Sequence, residues 1–307
     1  MTCPACAGPL AAWISVPSGE PADPRRFELL RCRDCGSAVT AGDPPGPEAY
    51  EQGVYRSGQP RAAALVGALQ RAVAAQPIRL LERGGLAPGA RVLDAGAGGG
   101  RLVAALAARG HDAYGIEPSA RSRERAVAAG LDVRAETLGE HAARDLDAVV
   151  MWHVLEHLDD PLGALERVRG WLKPGGLVLL GVPNRESVQA RMAGPGWLHF
   201  DAPRHRVHLT PRGLEALAHS AGFERPATHH MIWEHNPAGM WMAILTRMGM
   251  APGLPFHLLK RNARARPLDA ALLAAGVPLA PLAVAAEAIA AAARRGGTVA
   301  MTIRRAS

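Results

Sequence analysis

The segment from Val92 to Arg101 reads Val-Leu-Asp-Ala-Gly-Ala-Gly-Gly-Gly-Arg, and it constrains the chain more than any other. A short apolar run enters an acidic residue, Asp94, then a loop with glycine at 96, 98, 99 and 100, and a helical pattern starts near Arg101. So many glycines between a buried strand and a helix mean a tight turn whose backbone approaches a ligand with no Cβ in the way. The details narrow the ligand. A dinucleotide fingerprint needs glycine where Arg101 stands, and a phosphate-cradling loop ends in Gly-Lys-Ser/Thr, which is absent. An acidic residue leading the loop suits a ligand with a cationic amino group better than a pyrophosphate.

Downstream, short apolar runs alternate with helical stretches, which predicts a parallel sheet with crossover helices. Strands are expected at Ala113–Ile116, Asp147–Trp152, Leu177–Val182 and Ala227–Trp233, and a last one at Thr298–Ile303. Glu117 ends the second of the core strands, about twenty residues after the glycine loop, where a carboxylate can accept both hydroxyls of an adenosine ribose.

Four motifs then stand in order: Asp94-x-Gly96-x-Gly98-x-Gly100, Gly115-Ile-Glu117-Pro118-Ser119, His153-Val-Leu-Glu-His157 and Lys173-Pro-Gly-Gly176. Together they resemble the class I S-adenosylmethionine-dependent methyltransferases, in particular the small-molecule group with a Leu-Glu-His turn after the fourth strand. The resemblance covers residues 88 to 225. It implies an α/β fold, Rossmann-like and doubly wound, with a mostly parallel seven-stranded sheet whose last strand is antiparallel. It also implies S-adenosyl-L-methionine as cofactor. Gly96, Gly98 and Gly100 would bring backbone against the amino-acid part of that cofactor, and Asp94 would anchor it electrostatically. Glu117, followed by Pro118, would hold the ribose. Glu136 and Thr137, after the third strand, would read the adenine, although aspartate is commoner at the first of these positions. Trp152 and His153 would line the methionine arm.

Ligands of open α/β sheets sit beyond the carboxyl ends of the strands, so the acceptor is expected in the loops there. Asn184 follows the fifth strand. The segment from Gly196 to Thr210 then gathers Trp197, His199, Asp201, Arg204, His205 and His208. Histidine is the side chain whose ordinary pKa suits a general base near neutrality. His205 and His153 are therefore the candidate catalytic residues, and Asn184, Trp197, His199, Asp201, Arg204 and His208 the candidate acceptor contacts. Two other readings of the histidine loop stand beside this: imidazoles that merely pin the loop, and a second metal site built from Asp201, His205 and His208. Because a sulfonium is a good leaving group, proximity alone is a sufficient mechanism for many such enzymes.

All four cysteines lie in the first 35 residues, as Cys3-Pro-Ala-Cys6 and Cys32-Arg-Asp-Cys35. Two such pairs supply the four thiolates that a closed structural Zn²⁺ site prefers. Cys3, Cys6, Cys32 and Cys35 are thus expected to bind structural Zn²⁺ in a ribbon-like knuckle.

The expected organisation is a knuckle over 1–42, a linker and helical cover over 43–87, a methyltransferase core over 88–235 and 297–307, and a helical insertion over 236–296. The cover includes an aromatic stretch from Tyr50 to Tyr55 and a helix from Arg61 to Arg83. Rich in Met, Trp and Arg, the insertion reads as a lid, a homodimer contact or a peripheral membrane contact. A formal charge of +7 invites an anionic partner, but the arginines are scattered and only Lys173 and Lys260 are lysines, so nucleic acid is not the expected partner. No secretory leader is evident, and the uncharged run between Asp269 and Glu287 is short for a membrane span and carries Pro278 and Pro281, which points to a cytoplasmic enzyme. The expected activity is methyl transfer to a small or medium-sized acceptor, glycan-linked, lipid-linked or a secondary metabolite. An RNA or protein methyltransferase docking through the knuckle, and a non-catalytic cofactor-binding module, are the alternatives.

Overall fold

The structure is a computed structural model and describes residues 1–50 and 75–306. It begins with a small antiparallel sheet, Leu10–Pro17 (β1), Arg26–Cys32 (β2) and Ala38–Thr40 (β3), which carries the two Cys-x-x-Cys turns at one end. Its fourth strand comes from far along the chain: Val207–His208 (β9) pairs with β3, His208 opposite Ala38. The unit expected over 1–42 is therefore completed by a strand from the core expected over 88–235. Residues 75–83 are helical (α1); the start of the expected Arg61–Arg83 helix and the stretch 51–55 lie outside the described residues.

The central sheet is built from Arg91–Ala95 (β4), Asp112–Ile116 (β5), Val133–Arg134 (β6), Leu146–Trp152 (β7), Leu172–Pro183 (β8), Phe223–His229 (β10) and Thr298–Arg305 (β11). Its order is β10-β11-β8-β7-β4-β5-β6, and β11 runs antiparallel to both of its neighbours. This is the mostly parallel, seven-stranded, doubly wound arrangement that the motifs imply. The inner strands are apolar on both faces because helices cover both, so no polar alternation survives in β7 or β8. On one face Leu93, Val149, Met151 and Val178 pack under Pro161–Trp171 (α4) and Pro211–Ser220 (α6); on the other, Val92, Val150 and Leu179 pack against Ile78 and Leu81 of α1. The first of these clusters also takes in Cys3, Cys32 and Cys35, so the cysteine unit and the large sheet share one core.

Two crossover helices, Arg101–Ala107 (α2) and Ala120–Ala128 (α3), flank the ligand loops, and Val188–Ala193 (α5) follows β8. Asp160-Pro161 and Thr210-Pro211 start α4 and α6 as capping chemistry requires: Asp160 Oδ1 accepts the N–H of Gly163, and Thr210 Oγ1 that of Gly213, each at 2.9 Å. Strand β10 lies four residues earlier than the sequence suggests. It is an edge strand with a register shift between Glu224 and Ala227, and that irregularity accommodates Pro226, which has no N–H for the ladder.

The insertion folds as Asn236–Arg247 (α7), Leu254–Leu259 (α8), Pro267–Gly276 (α9) and Ala280–Ala292 (α10). A buried polar network fastens it to the core. Gln189 Nε2 donates to Glu287 Oε2 at 2.7 Å and to the Asn236 carbonyl at 2.8 Å, and Thr298 Oγ1 donates to Asn236 Oδ1 at 2.8 Å. The run Pro267–Ala292 is 26 residues long and apolar enough, by length and composition, to cross a membrane. It exposes Leu268, Val277, Leu282 and Ile289, and a short 3-10 turn at Val277–Leu279 interrupts it.

Candidate active site

At the carboxyl end of β4, the backbone N–H groups of Gly96 and Ala97 both donate to the Ile116 carbonyl, which folds the loop over the end of β5. Gly96 and Gly98 have φ of +78° and +51°, the left-handed region in which side chains are disfavoured. The two differ in surroundings. A Cβ on Gly96 would lie 2.6 Å from Val154 Cγ2, whereas one on Gly98 would meet no atom of the described residues within 4 Å. Among the described residues Gly98 thus borders a cradle that an added side chain would enter.

Two carboxylates face that cradle. Asp94 is buried, and burial, with the neighbouring charge of Glu117, raises its pKa to about 7. Glu117 Oε2 accepts the Gly98 N–H at 3.1 Å, and Oε1 accepts the Ser119 N–H at 2.9 Å. Pro118 lies exposed beside them. A ligand that brings a cationic group to Asp94 and a diol to Glu117 relieves both the burial and the like-charge repulsion. S-Adenosylmethionine has that chemistry, and the residues present fit it.

The adenine candidates are already engaged. Glu136 Oε2 is 2.5 Å from His141 Nδ1, whose other nitrogen meets the Tyr114 hydroxyl at 3.2 Å, and Thr137 is turned toward Glu140.

Beyond the end of β7 the chain makes an unusual turn. His153 has φ of +56°, a conformation that costs a non-glycine residue and is held only where surroundings impose it. In this position its Nδ1 lies 3.0 Å from Oε1 of Glu156, one turn along the 3-10 segment Leu155–His157. Burial alone would lower the His153 pKa, but the hydrogen bond and charge of Glu156, with the charge of Glu234, raise it above the ordinary value. Glu156 is 2% exposed, and its Oε2 has no hydrogen-bond donor among the described residues. A buried carboxylate oxygen in that state costs on the order of 1–3 kcal/mol.

Around His153 stand two further imidazoles and an indole. The His199 ring is parallel to it at 6.5 Å between centroids, the His235 ring is 6.4 Å away, and Trp152 meets it edge-on at 6.0 Å. Trp152 Nε1 donates to Glu234 Oε2 at 2.5 Å, and Glu234 Oε1 is 3.4 Å from His235 Nε2. Burial, then the positive charges of His153 and His235, hold His199 neutral, its pKa lowered to about 3. A narrow crevice lined by Trp197, His199, Met242, Ala243 and Thr246 opens behind this cluster, between the 196–210 loop and α7.

The rest of that loop is occupied with holding the cysteine unit. Arg204 pairs with Asp201 and reaches Glu20 in the β1–β2 turn. Thr40 Oγ1 donates to the His205 carbonyl at 2.7 Å and lies 3.0 Å from His208 Nε2; Thr210 Oγ1 is 2.8 Å from the Cys35 carbonyl. His205 donates its Nδ1 proton to the His199 carbonyl at 2.8 Å, and burial followed by the nearby His157 and His208 keeps it neutral. His208 is kept neutral too, lowered to about 3 by burial and then by Arg185 and Arg206. Asn184 is fully buried, giving its amide N–H to the Gly296 carbonyl and accepting from the Glu186 N–H, both at 3.0 Å. The structure therefore gathers Trp152, His153, Trp197 and His199 near the end of β7, and places Asp201, Arg204, His205 and His208 in the seam. Sequence reasoning passed over Glu156, although its spacing of three from His153 signalled a shared turn. It also passed over Glu234 and His235, which no local pattern marks.

At the far side of the seam, Cys3 Sγ is 3.7 Å from Cys35 Sγ and Cys6 Sγ is 3.5 Å from Cys32 Sγ, and all four sulfurs lie within 4.8 Å of one another. Sulfurs about 2.3 Å from one tetrahedral ion stand roughly 3.8 Å apart, so this donor set is of a size that fits Zn²⁺.

A family model described as a methyltransferase domain matches residues 66–226, just over half of the 307-residue chain. The chain belongs to the methyltransferase-domain family. Among curated relatives of this methyltransferase, the ubiquinone biosynthesis O-methyltransferase of Paracidovorax citrulli (strain AAC00-1) is 36% identical over 154 residues, 46% of this chain and 62% of that protein. That of Bordetella avium (strain 197N) is 32% identical over 182 residues, 53% of this chain and 75% of that protein. The chain thus spans less than two thirds of the Paracidovorax protein. Among solved structures, a S-adenosylmethionine-dependent methyltransferase and possible histamine N-methyltransferase from Thermotoga maritima is 27% identical. It covers 54% of this chain and 77% of its own, with a TM-score of 0.45. The [4+2]-cyclase SpnF is 19% identical over 76% of this chain and 80% of its own, with a TM-score of 0.49.

Proposed function

We propose that this methyltransferase moves a methyl group from S-adenosylmethionine to a hydroxyl of a small-molecule acceptor, with His153 as general base. The observation that carries the reading is the His153–Glu156 pair: an imidazole in a left-handed turn at the end of β7, its Nδ1 held 3.0 Å from a buried carboxylate. The hydroxyl preference is supported by relatives named O-methyltransferases at 32–36% identity. When bound, the cofactor supplies a sulfonium methyl whose bonding electron pair leaves with sulfur, giving S-adenosylhomocysteine. Asp94 would receive its ammonium end and Glu117 its ribose diol, with the backbone at Gly96 and Gly98 beside it. His153 Nε2 would take the acceptor's hydroxyl proton, which frees that oxygen to receive the methyl group. Glu156 fixes the Nδ1–H tautomer and stabilises the imidazolium that forms. His199, kept neutral, and Trp197 border the acceptor.

The cysteine unit belongs to the same proposal as a structural Zn²⁺ site. Four thiolates leave no open position on the ion, so it serves the seam rather than the chemistry. A cytoplasmic location is proposed with it, where thiols stay reduced.

The test is transfer of labelled methyl to a panel of phenols and catechols, run beside calorimetric binding of S-adenosylhomocysteine. His153→Ala is expected to lower kcat by about 10²–10⁴-fold and leave S-adenosylhomocysteine affinity within about threefold. Wild-type protein that binds S-adenosylhomocysteine yet methylates no hydroxyl acceptor, or a His153→Ala variant with wild-type kcat, would overturn the reading.

A further inference from the structure

A helix on the surface of a water-soluble fold turns its apolar residues inward and its charged ones outward. The run from Pro267 to Ala293, which holds α9 and α10, does the reverse. Its two charged residues, Asp269 and Glu287, are each 1% exposed. Both are committed inside: Asp269 accepts from the Ala251 N–H at 3.0 Å and from Arg266, and Glu287 from Gln189 and from the Gly297 N–H at 2.8 Å. Every exposed residue of the run is Ala, Pro, Val, Leu or Ile, with Val277 at 67% and Ile289 at 71%. Of its most apolar 18-residue stretch only 17% is buried, so this is not a core helix. A continuous aliphatic face of this length left to solvent marks an interaction surface.

Cations frame the face. Lys260, Arg261 and Arg264 precede it, next to the exposed Leu259, and Arg294 and Arg295 follow it. Asp269 and Glu287 are the only acidic residues between 236 and 296, so no acidic side chain is exposed there. A second copy of the chain is a poor occupant, because it would press one frame of cations against another. We propose that α9 and α10 seat the protein on an anionic phospholipid bilayer, the aliphatic face entering the acyl boundary and the flanking cations meeting lipid phosphates. Neither helix is long enough to cross. With 10 and 13 residues they rise about 15 and 20 Å, against roughly 30 Å of hydrocarbon, and the 3-10 turn at Val277–Leu279 divides them. The inner side is also fastened to the core through Gln189 and Glu287, which holds the run flat on the surface. Helix α7 joins the seat to the site: it begins at Asn236, next to His235, and its Trp241 Nε1 donates to the Gly276 carbonyl at 2.7 Å. Both helices lie outside residues 66–226, which match the methyltransferase domain, and the inference does not depend on which acceptor is methylated.

Flotation through a density gradient tests the seat, with the full chain mixed with vesicles of phosphatidylcholine alone or of phosphatidylcholine and phosphatidylglycerol. We expect wild type to rise with the phosphatidylglycerol vesicles at least about tenfold more than with the neutral ones, and less at high salt. Leu282→Glu with Ile289→Glu puts charge into the aliphatic face and should abolish flotation, and Arg294→Glu with Arg295→Glu should lower it at least about tenfold. All four positions are exposed, so melting temperature and S-adenosylhomocysteine affinity should stay at wild-type values. Wild type that floats with neither vesicle, or equal flotation of wild type and both variants, would overturn the seat. So would a wild type that ignores vesicles and forms a dimer which Leu282→Glu with Ile289→Glu splits, since the face would then belong to a second copy. Should the glutamates in the aliphatic face prevent folding, the arginine variant and the salt dependence decide. Flotation needs neither cofactor nor acceptor, so its failure leaves the proposed methyl transfer to its own test.

Discussion

Oε1 of Glu156 lies 3.0 Å from Nδ1 of His153, and the two residues are brought together by a left-handed turn at His153 followed by one turn of 3-10 helix. The pair stands at the carboxyl end of β7, two strand positions along the sheet from the glycine loop's partner strand β5, with β4 between. The pair proposed for acid–base work is thereby set on a strand end, a more rigid mount than the 196–210 loop that carries the other candidate, His205.

If Glu156 orients and stabilises His153, Glu156→Gln keeps the shape of the turn and removes the charge. We expect kcat to fall by about 10–10²-fold, with the KM for S-adenosylmethionine changed less than threefold. Steady-state kinetics of methyl transfer checks this. Equal losses in kcat and in cofactor affinity would instead mean that the turn had collapsed.

Asp94 gives a pH signature. Its folded pKa, about 7, lies above the unfolded value of 3.8, so the unliganded protein holds that proton more tightly than the unfolded chain does. The associated stability is complete below pH 3.8 and is lost as pH rises through about 7. A cationic ligand favours the ionised carboxylate, so binding releases a proton. S-Adenosylhomocysteine affinity should rise between pH 5 and pH 7, by up to about tenfold per unit. Calorimetry in buffers of different ionisation enthalpy measures the release directly, and Asp94→Asn should abolish both effects.

The two loop glycines should separate stability from binding. Gly98→Ala imposes a left-handed alanine, about 1–2 kcal/mol, and meets no atom of the described residues within 4 Å. Its larger effect should be on cofactor affinity, at least about tenfold. Gly96→Ala adds a Cβ 2.6 Å from Val154 Cγ2, so it should cost more stability than Gly98→Ala. Urea unfolding and S-adenosylhomocysteine titration on both variants distinguish the two mechanisms.

Metal removal from the cysteines should be felt well beyond residue 42. Thr40, Ser37 and the Cys35 carbonyl all bond the 205–210 segment, and Cys3, Cys32 and Cys35 sit in the core shared with the sheet. Cys6→Ser, or chelation of wild type, is expected to lower the melting temperature by roughly 5–10 °C, since 1 kcal/mol is worth about 2–4 °C in a chain of this size. Differential scanning calorimetry with and without added Zn²⁺ checks it. A Cys6→Ser protein with unchanged melting and metal content would remove the zinc site.

The cofactor half of the proposed site was read from the sequence because its signals are local. Asp94, Gly96, Gly98 and Glu117 sit at strand ends fixed by short-range rules: a strand that is apolar on both faces, a loop that must take positive φ, and an acidic residue one crossover later. The four cysteines were legible for the same reason, through two paired turns. The strand pattern also determined the sheet, except at β10, where Pro226 and the edge position let the ladder slip.

The setting of the expected acceptor residues was decided only by tertiary structure. Asp201, Arg204, His205 and His208 look like a reactive constellation along the chain, yet Arg204 reaches Glu20 and His208 meets Thr40, contacts that span 184 and 168 residues. Spacing in sequence carries no information about such partners. Burial between the cysteine unit and the core turned this polar loop into a fastening and left His153, His199 and His235 around the open end of β7. What a polar side chain does here depends on which distant backbone it must satisfy, and that is known only once the two layers have packed.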